Sequence, residues 1–210
     1  MNKRCLPAVA AVLCLALHAV PARAGIVYQI SIDTSSISGT AGYLDLQFSS
    51  GPGAPSALAT VSQFTSDATL GTPSAFNTTG SLVPGGSTLE FDNQTANDYL
   101  QGIDVFGNSV TFLVTLSGAG VDTPPGIGSG STFGLFLYDT SFNPILNADP
   151  GTGLLGSVDL NNDGTTTPAS ISPQAQIDAQ SAPASAPEPG TQLLLGLGAI
   201  AIGTFRRVRK

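Results

Sequence analysis

The chain has 210 residues and a mass of 21.1 kDa, room for one compact domain with tails. Its seven basic residues all sit at the ends, Lys3, Arg4 and Arg23 at the start and Arg206, Arg207, Arg209 and Lys210 at the finish, while Gly25 to Phe205 carries all 14 acids and no Lys, Arg, His, Cys, Met or Trp. That interior excludes His- or Cys-based nucleophilic catalysis, Schiff-base lysines, thiolate or imidazole metal sites, and binding to nucleic acid, which would face uncompensated negative charge.

Residues 1–24 have the three parts of a secretory signal peptide. Lys3 and Arg4 precede an apolar run from Leu6 to Val20, and Ala22-Arg23-Ala24 gives the small-x-small cleavage pattern, with Gly25 as the new N-terminus. Export through the Sec translocon follows. Leu13 before Cys14 argues against lipoprotein acylation, and a mature region without cysteine cannot rest on disulfides.

From Gly25 to residue 167 apolar residues recur with period two, in short runs separated by Gly, Pro, Asn and Asp. Ile26, Tyr28, Ile30 and Ile32 mark a first strand, and Leu44, Leu46 and Phe48 alternate with Tyr43, Asp45 and Gln47 in a second. In Ser109–Ser117, Val110, Phe112, Val114 and Leu116 share one face, with Leu113 the exception. Phe133, Leu135 and Leu137 alternate with Thr132, Gly134, Phe136 and Tyr138. Leu58–Thr65, Thr88–Phe91, Tyr99–Phe106 and Leu154–Leu160 are weaker strands, whereas Gly51–Pro55, Gly71-Thr72-Pro73 and Asp122–Ser131 read as loops. No segment shows a capped helical pattern. About eight strands, each hiding one face, predict an all-β fold, an antiparallel β-sandwich with a jelly roll as the candidate topology and thirteen aromatics supplying the core bulk. Residues 168–186, rich in Pro, Ala, Ser and Gln, read as a linker.

The last segment, 187–210, has three parts. Pro187-Glu188-Pro189 leads into an uncharged, mostly apolar stretch, Thr191 to Phe205, and then into Arg206, Arg207, Arg209 and Lys210. Fifteen helical residues reach about 22 Å, short of the roughly 30 Å hydrocarbon core, so the segment is a marginal transmembrane helix with a cytoplasmic stop. This order resembles the PEP-CTERM sorting signal of exported proteins in Gram-negative, biofilm-forming bacteria. The resemblance implies that Pro187, Glu188 and Pro189 are the recognition triplet for exosortase, that Leu193–Phe205 anchors the chain transiently, and that the arginines stop transfer. The interior wording Asp33-Thr34-Ser35, Gly39 to Asp45 and Asp159 to Thr165 is similar to a set of such proteins with no established activity.

Three interior features are candidate sites. Asp159, Asn161 and Asp163 with Gly164 match the first half of a calcium loop, but Ser170 replaces the bidentate Glu, and a hairpin turn explains the same residues. Glu90 and Asp92 would share a strand face as paired carboxylates, yet the alternation of Leu89 and Phe91 turns them to water. Tyr28, Tyr43, Tyr99 and Tyr138 have the amphipathic rings of a sugar-stacking platform, although nothing in the sequence groups them. The expectation is an exported surface or matrix protein, structural or binding exopolysaccharide, without catalytic residues or a cofactor. A carboxylate-dependent polysaccharide enzyme and a calcium-stabilised adhesion module are the rivals.

Overall fold

A computed structural model describes residues 25–146 and 148–181. The signal peptide with Ala22 and Ala24, residues 182–186 of the expected linker, the Pro187-Glu188-Pro189 triplet, the apolar segment and the terminal Arg/Lys cluster lie outside the described residues. Among the described residues no helix is long and apolar enough to cross a membrane.

Twelve strands form two antiparallel sheets: β1 (Ile26–Asp33), β2 (Gly42–Ser50), β3 (Leu58–Ser66), β4 (Thr69–Phe76), β5 (Thr78–Gly80), β6 (Leu89–Asp92), β7 (Asp98–Val105), β8 (Ser109–Ser117), β9 (Ser131–Asp139), β10 (Leu154–Leu160), β11 (Thr166–Ser170) and β12 (Ala175–Gln180). Sheet A runs β12-β1-β8-β3-β6-β5 and sheet B runs β11-β10-β9-β2-β7-β4. The first four strands alternate between sheets, and three pairings are nested, β1 with β8, β2 with β7 and β3 with β6. The expected β-sandwich is therefore the observed architecture.

Alternation decides which side chains meet between the sheets. Ile30, Ile32, Val61, Leu89, Phe112, Val114 and Leu116 from sheet A join Leu44, Leu46, Phe48, Phe133, Leu135, Leu137 and Val158 from sheet B, all almost fully buried. Phe91 of β6 meets Phe133 of β9 edge-to-face across the layers, with ring centroids 5.8 Å apart at 80°. That geometry is worth about 1 kcal/mol beyond area burial. Eight of the thirteen aromatics are buried; the others lie on outer surfaces, contrary to a core built from all of them.

Two asparagines fasten the crossing from β6 in sheet A to β7 in sheet B. Asn97 Oδ1 accepts from the Phe48 amide and its Nδ2 donates to the Phe48 carbonyl, both at 2.8 Å, so the side chain completes the ladder beside β2 as a strand residue would. Asn93 accepts from the Ala57 amide and donates to the Pro55 carbonyl and Ser131 Oγ.

Several boundaries depart from the sequence reading. Gly71-Thr72-Pro73 lies inside β4, not in a loop, and the expected linker is wrong over residues 168–180, which hold the end of β11, a short turn and β12. Both proline-bearing strands are sheet edges, where a missing N–H costs no ladder bond, and β4 absorbs its Gly and Pro through two register shifts. β12 escaped the pattern because only Ala175 of its residues is buried, yet it covers β1 from Val27 to Ile32. The domain thus extends beyond residue 167 through β12.

Replacing Asn97 by Ala would strand the Phe48 N–H and C=O in a dry position. The expected cost is about 3 kcal/mol of unfolding free energy, measured by urea titration.

Candidate functional site

The outer face of sheet B holds the arrangement most unlike ordinary surface. Because Leu44, Leu46 and Phe48 point inward, Tyr43, Asp45 and Gln47 of β2 must point outward. In register, Tyr43 stands opposite Tyr138 and Asp45 opposite Phe136 on β9, while Asp45 faces Leu100 on β7. Two of the four tyrosines considered as a platform are thus direct cross-strand neighbours. The others are elsewhere: Tyr28 is buried with its hydroxyl 2.7 Å from Thr166 Oγ1, and Tyr99 is buried with its hydroxyl accepting from the Leu82 amide.

Phe142, which the sequence reading passed over, completes the cluster. Its ring stacks on Tyr43, with centroids 4.7 Å apart and planes within 7°, and lies 6.2 Å from the ring of Tyr138. The rings of Phe136 and Tyr138 are stacked with planes within 6° of parallel, their centroids 6.5 Å apart. Glycines make room for this row, since a Cβ on Gly134 would press on the Phe136 ring at 2.7 Å and one on Gly153 would collide with Tyr138. Phe142 is 55 % exposed and has φ of +60°, a left-handed backbone costly for a bulky residue. The Asp139 carboxylate holds it there. Its Oδ1 accepts from the amides of Ser141 and Asn143 at 2.8 and 2.9 Å, and its Oδ2 accepts from Asn143 Nδ2 at 2.9 Å. The Asn143 donors, side chain first, keep this carboxylate below its usual pKa.

Beside the rings lies a carboxyl pair that sequence reasoning also missed. Asp45 on β2 stands opposite Leu100, which makes Asp98 its diagonal neighbour on β7. Asp45 is only 6 % exposed, and Gln47 Nε2 donates to its Oδ2 at 3.0 Å. Oδ1 of Asp45 and Oδ1 of Asp98 are two of the three buried side-chain oxygens with no partner among the described residues. Burial first, then the hydrogen bond and charge of Asp98, push Asp45 up to about 8, so Asp45 keeps its proton at neutral pH. Burial, helped by the charges of Asp45 and Asp98, also raises Tyr138. Alternation gave Asp45 as an outward polar residue. Its pairing with Asp98 depends on strand register, which no local signal carried.

The other candidates fall apart in space or turn to water. Glu90 and Asp92 are exposed on β6 of sheet A, with Leu89 and Phe91 inward as the alternation predicts. Asp159 projects from β10, where its Oδ1 accepts from the Thr132 hydroxyl at 2.6 Å. Asp163 Oδ1 accepts from both the amide and hydroxyl of Thr165, and Asn161 Nδ2 donates to Thr165 and Thr167 hydroxyls. Those bonds belong to the turn joining β10 to β11. Among the described residues no three Asp, Glu, His or Cys side chains are grouped to hold a metal.

Fold and site together define a cation-free β-sandwich with an aromatic row and a buried acid pair on one outer face. Residues 185–210 match the PEP-CTERM protein-sorting motif, so the chain carries the signal that sends exported proteins to exosortase through a membrane-anchored stage. No curated protein and no solved structure matches the chain.

The acid pair makes stability depend on pH in a direction opposite to ordinary surface carboxylates. With a folded pKa above the unfolded value, Asp45 contributes stability that is complete below about pH 4 and lost as pH rises through about 8. Asp45→Asn should therefore raise the melting temperature at pH 8.5 and change it little at pH 5. Recovery of about 2 kcal/mol would appear as about 4–8 °C. Parallel wild-type and variant curves across that range in a thermal melt would contradict the raised Asp45.

Proposed function

We propose that this is an exported surface or extracellular-matrix protein whose β-sandwich, a jelly roll extended by β9 to β12, binds polysaccharide through the outer face of sheet B. The reading is carried by Phe142, an exposed ring held in a left-handed turn and stacked on Tyr43. Aromatic faces pack on the apolar faces of pyranose rings, and a pre-positioned ring loses little entropy on binding. The sorting motif supplies the setting, since export to the envelope brings the domain to cell-surface polymers. We read the acid pair as a binding feature. Glycosidases need two carboxyl groups open to a bound sugar on either side of the scissile bond, and Asp45 is only 6 % exposed. The Asp159–Gly164 turn is left as a structural hairpin.

Phe142→Ala should cut retention on an insoluble glycan matrix about tenfold or more, the equivalent of one stacking contact, while leaving the melting temperature within a few degrees. Equal retention of wild type and variant would remove the platform. Delivery is tested separately. Glu188→Ala should leave a full-length, membrane-retained form in a host with exosortase, read by intact mass, and normal processing would contradict the role of the triplet.

A further inference from the structure

The outer face of sheet A carries a groove that neither the sorting signal nor the aromatic row explains. Its floor is set by register. Gln29 of β1 and Ser62 of β3 both stand opposite Leu113 of β8, so an amide, an apolar side chain and a hydroxyl form one row across three strands spaced about 4.8 Å apart. All three point away from the core, because their neighbours Tyr28, Ile30, Val61, Phe112 and Val114 point into it. Leu113 is thus the residue that broke the alternation of Ser109–Ser117. One wall is the loop between β5 and β6, tied to the end of β3 where the Gly85 amide donates to the Phe64 carbonyl at 3.2 Å. Ser87 fixes that loop, its hydroxyl accepting from the Val83 amide and donating to the Ser81 carbonyl. Floor and wall bound about 530 Å³, within the roughly 300–1,000 Å³ of small-molecule sites. A second cavity of about 320 Å³ shares Thr111 with the first and continues it along β1 and β8.

A bulge in β3 shapes the groove further. Pairing with β8 slips between Ser62 and Thr65, and Gln63 takes φ of +51°, a left-handed backbone that glycine adopts at less cost. The strain is kept together with an exposed amide side chain that lines the groove and bonds to no other described residue. The side chains of Gln29, Ser62 and Thr111 are equally uncommitted among the described residues. No charged side chain lines the larger cavity.

This lining selects by chemistry. Anionic polymers are repelled by a domain without bases, and a protein partner needs a broad apolar centre where the groove offers Leu113 alone, Phe64 and Phe112 being buried. Uncharged donors and acceptors on both sides of a small apolar patch fit a pyranose, whose C–H face rests on Leu113 while its hydroxyls take Gln29, Ser62 and Gln63. We propose that this groove is a second glycan site, specific for neutral hexopyranose units, on the side of the sandwich opposite Phe142. Continuity through Thr111 lets consecutive units of one polymer lie along β1 and β8. Together with the platform on sheet B, one molecule bridges two polymer strands. The bridging rests on the polysaccharide reading of sheet B; the groove does not.

The test is isothermal titration of the full chain carrying Phe142→Ala, in mild detergent, with hexamers of glucose, mannose and N-acetylglucosamine and with a galacturonic acid hexamer as the anionic control. At least one neutral hexamer should bind, with an affinity that changes less than about twofold between low and high salt because no ion pair takes part. Leu113→Thr and Gln63→Gly, each added to that chain, should weaken it about tenfold or more. Gln63→Gly should melt no lower than its parent, since glycine relieves the left-handed backbone. Unchanged affinity in both groove variants would overturn the site, as would preference for the galacturonic acid hexamer. Binding by the wild type that is lost with Phe142→Ala alone and untouched by the groove variants would overturn the groove and leave the platform standing. Binding that is equal with and without Phe142 and lost in the groove variants would support the groove and remove the platform. Failure of every hexamer to bind the wild-type chain would overturn both.

Discussion

Fourteen carboxylates and no cation between residues 25 and 205 impose one condition on every turn and strand of the sandwich: negative charge must be met by N–H and O–H donors, because no ion pair with a side chain is available to the described residues. The turns meet it with backbone amides. Asp67, between β3 and β4, accepts from the amides of Asn108 and Ser109 at the start of β8, and these donors hold it down at about 2. Asp33, Asp139, Asp149 and Asp163 repeat the device two to four residues further along their own chain, and all four are lowered, first by a side-chain donor there and then by such amides. A carboxylate used this way replaces a basic partner and also fixes the turn, which is why loops so rich in Gly and Pro are still ordered.

Inside a sheet the device fails. Strand amides are already committed to the ladder, so an outward carboxyl that becomes covered has no free N–H to accept from. Asp45 is in that position, between Phe136 and Leu100, and its answer is to keep a proton. The aromatic row and the acid pair are therefore linked by cause. Rings laid across β2 and β9 remove water from the face, and the removal of water is the first cause of the raised Asp45.

Much of this was legible in the sequence. Period-two alternation placed eight strands and gave the inward phase of the clearest ones, and it put Tyr43, Asp45, Phe136 and Tyr138 on the phase opposite the inward leucines and phenylalanines. It failed for edge strands. β4, β11 and β12 bury few side chains, so no apolar rhythm marks them, and the prolines that argued for loops are tolerated where one side of a strand is open. The site was half visible for a related reason. Residue phase is local, but Asp45 meeting Asp98 and Tyr43 meeting Phe142 depend on register and on one left-handed turn, both set by tertiary packing. The only local sign for Phe142 was a large apolar residue inside the polar run Asp139 to Asn143.

Charge also separates the cargo from its addresses. All bases lie in the two terminal segments, and all acids lie between them or in the triplet at Glu188. Positive residues resist transfer across the membrane, and a negative interior does not, so the same partition that orients the sorting segment leaves the domain free to cross. It has a second effect after transfer. A domain with about a dozen carboxylates and no base is repelled by anionic lipid headgroups, so basic residues take no part in what its outer faces can contact. Phe142, stacked on Tyr43 and open to solvent, is an apolar surface that needs none.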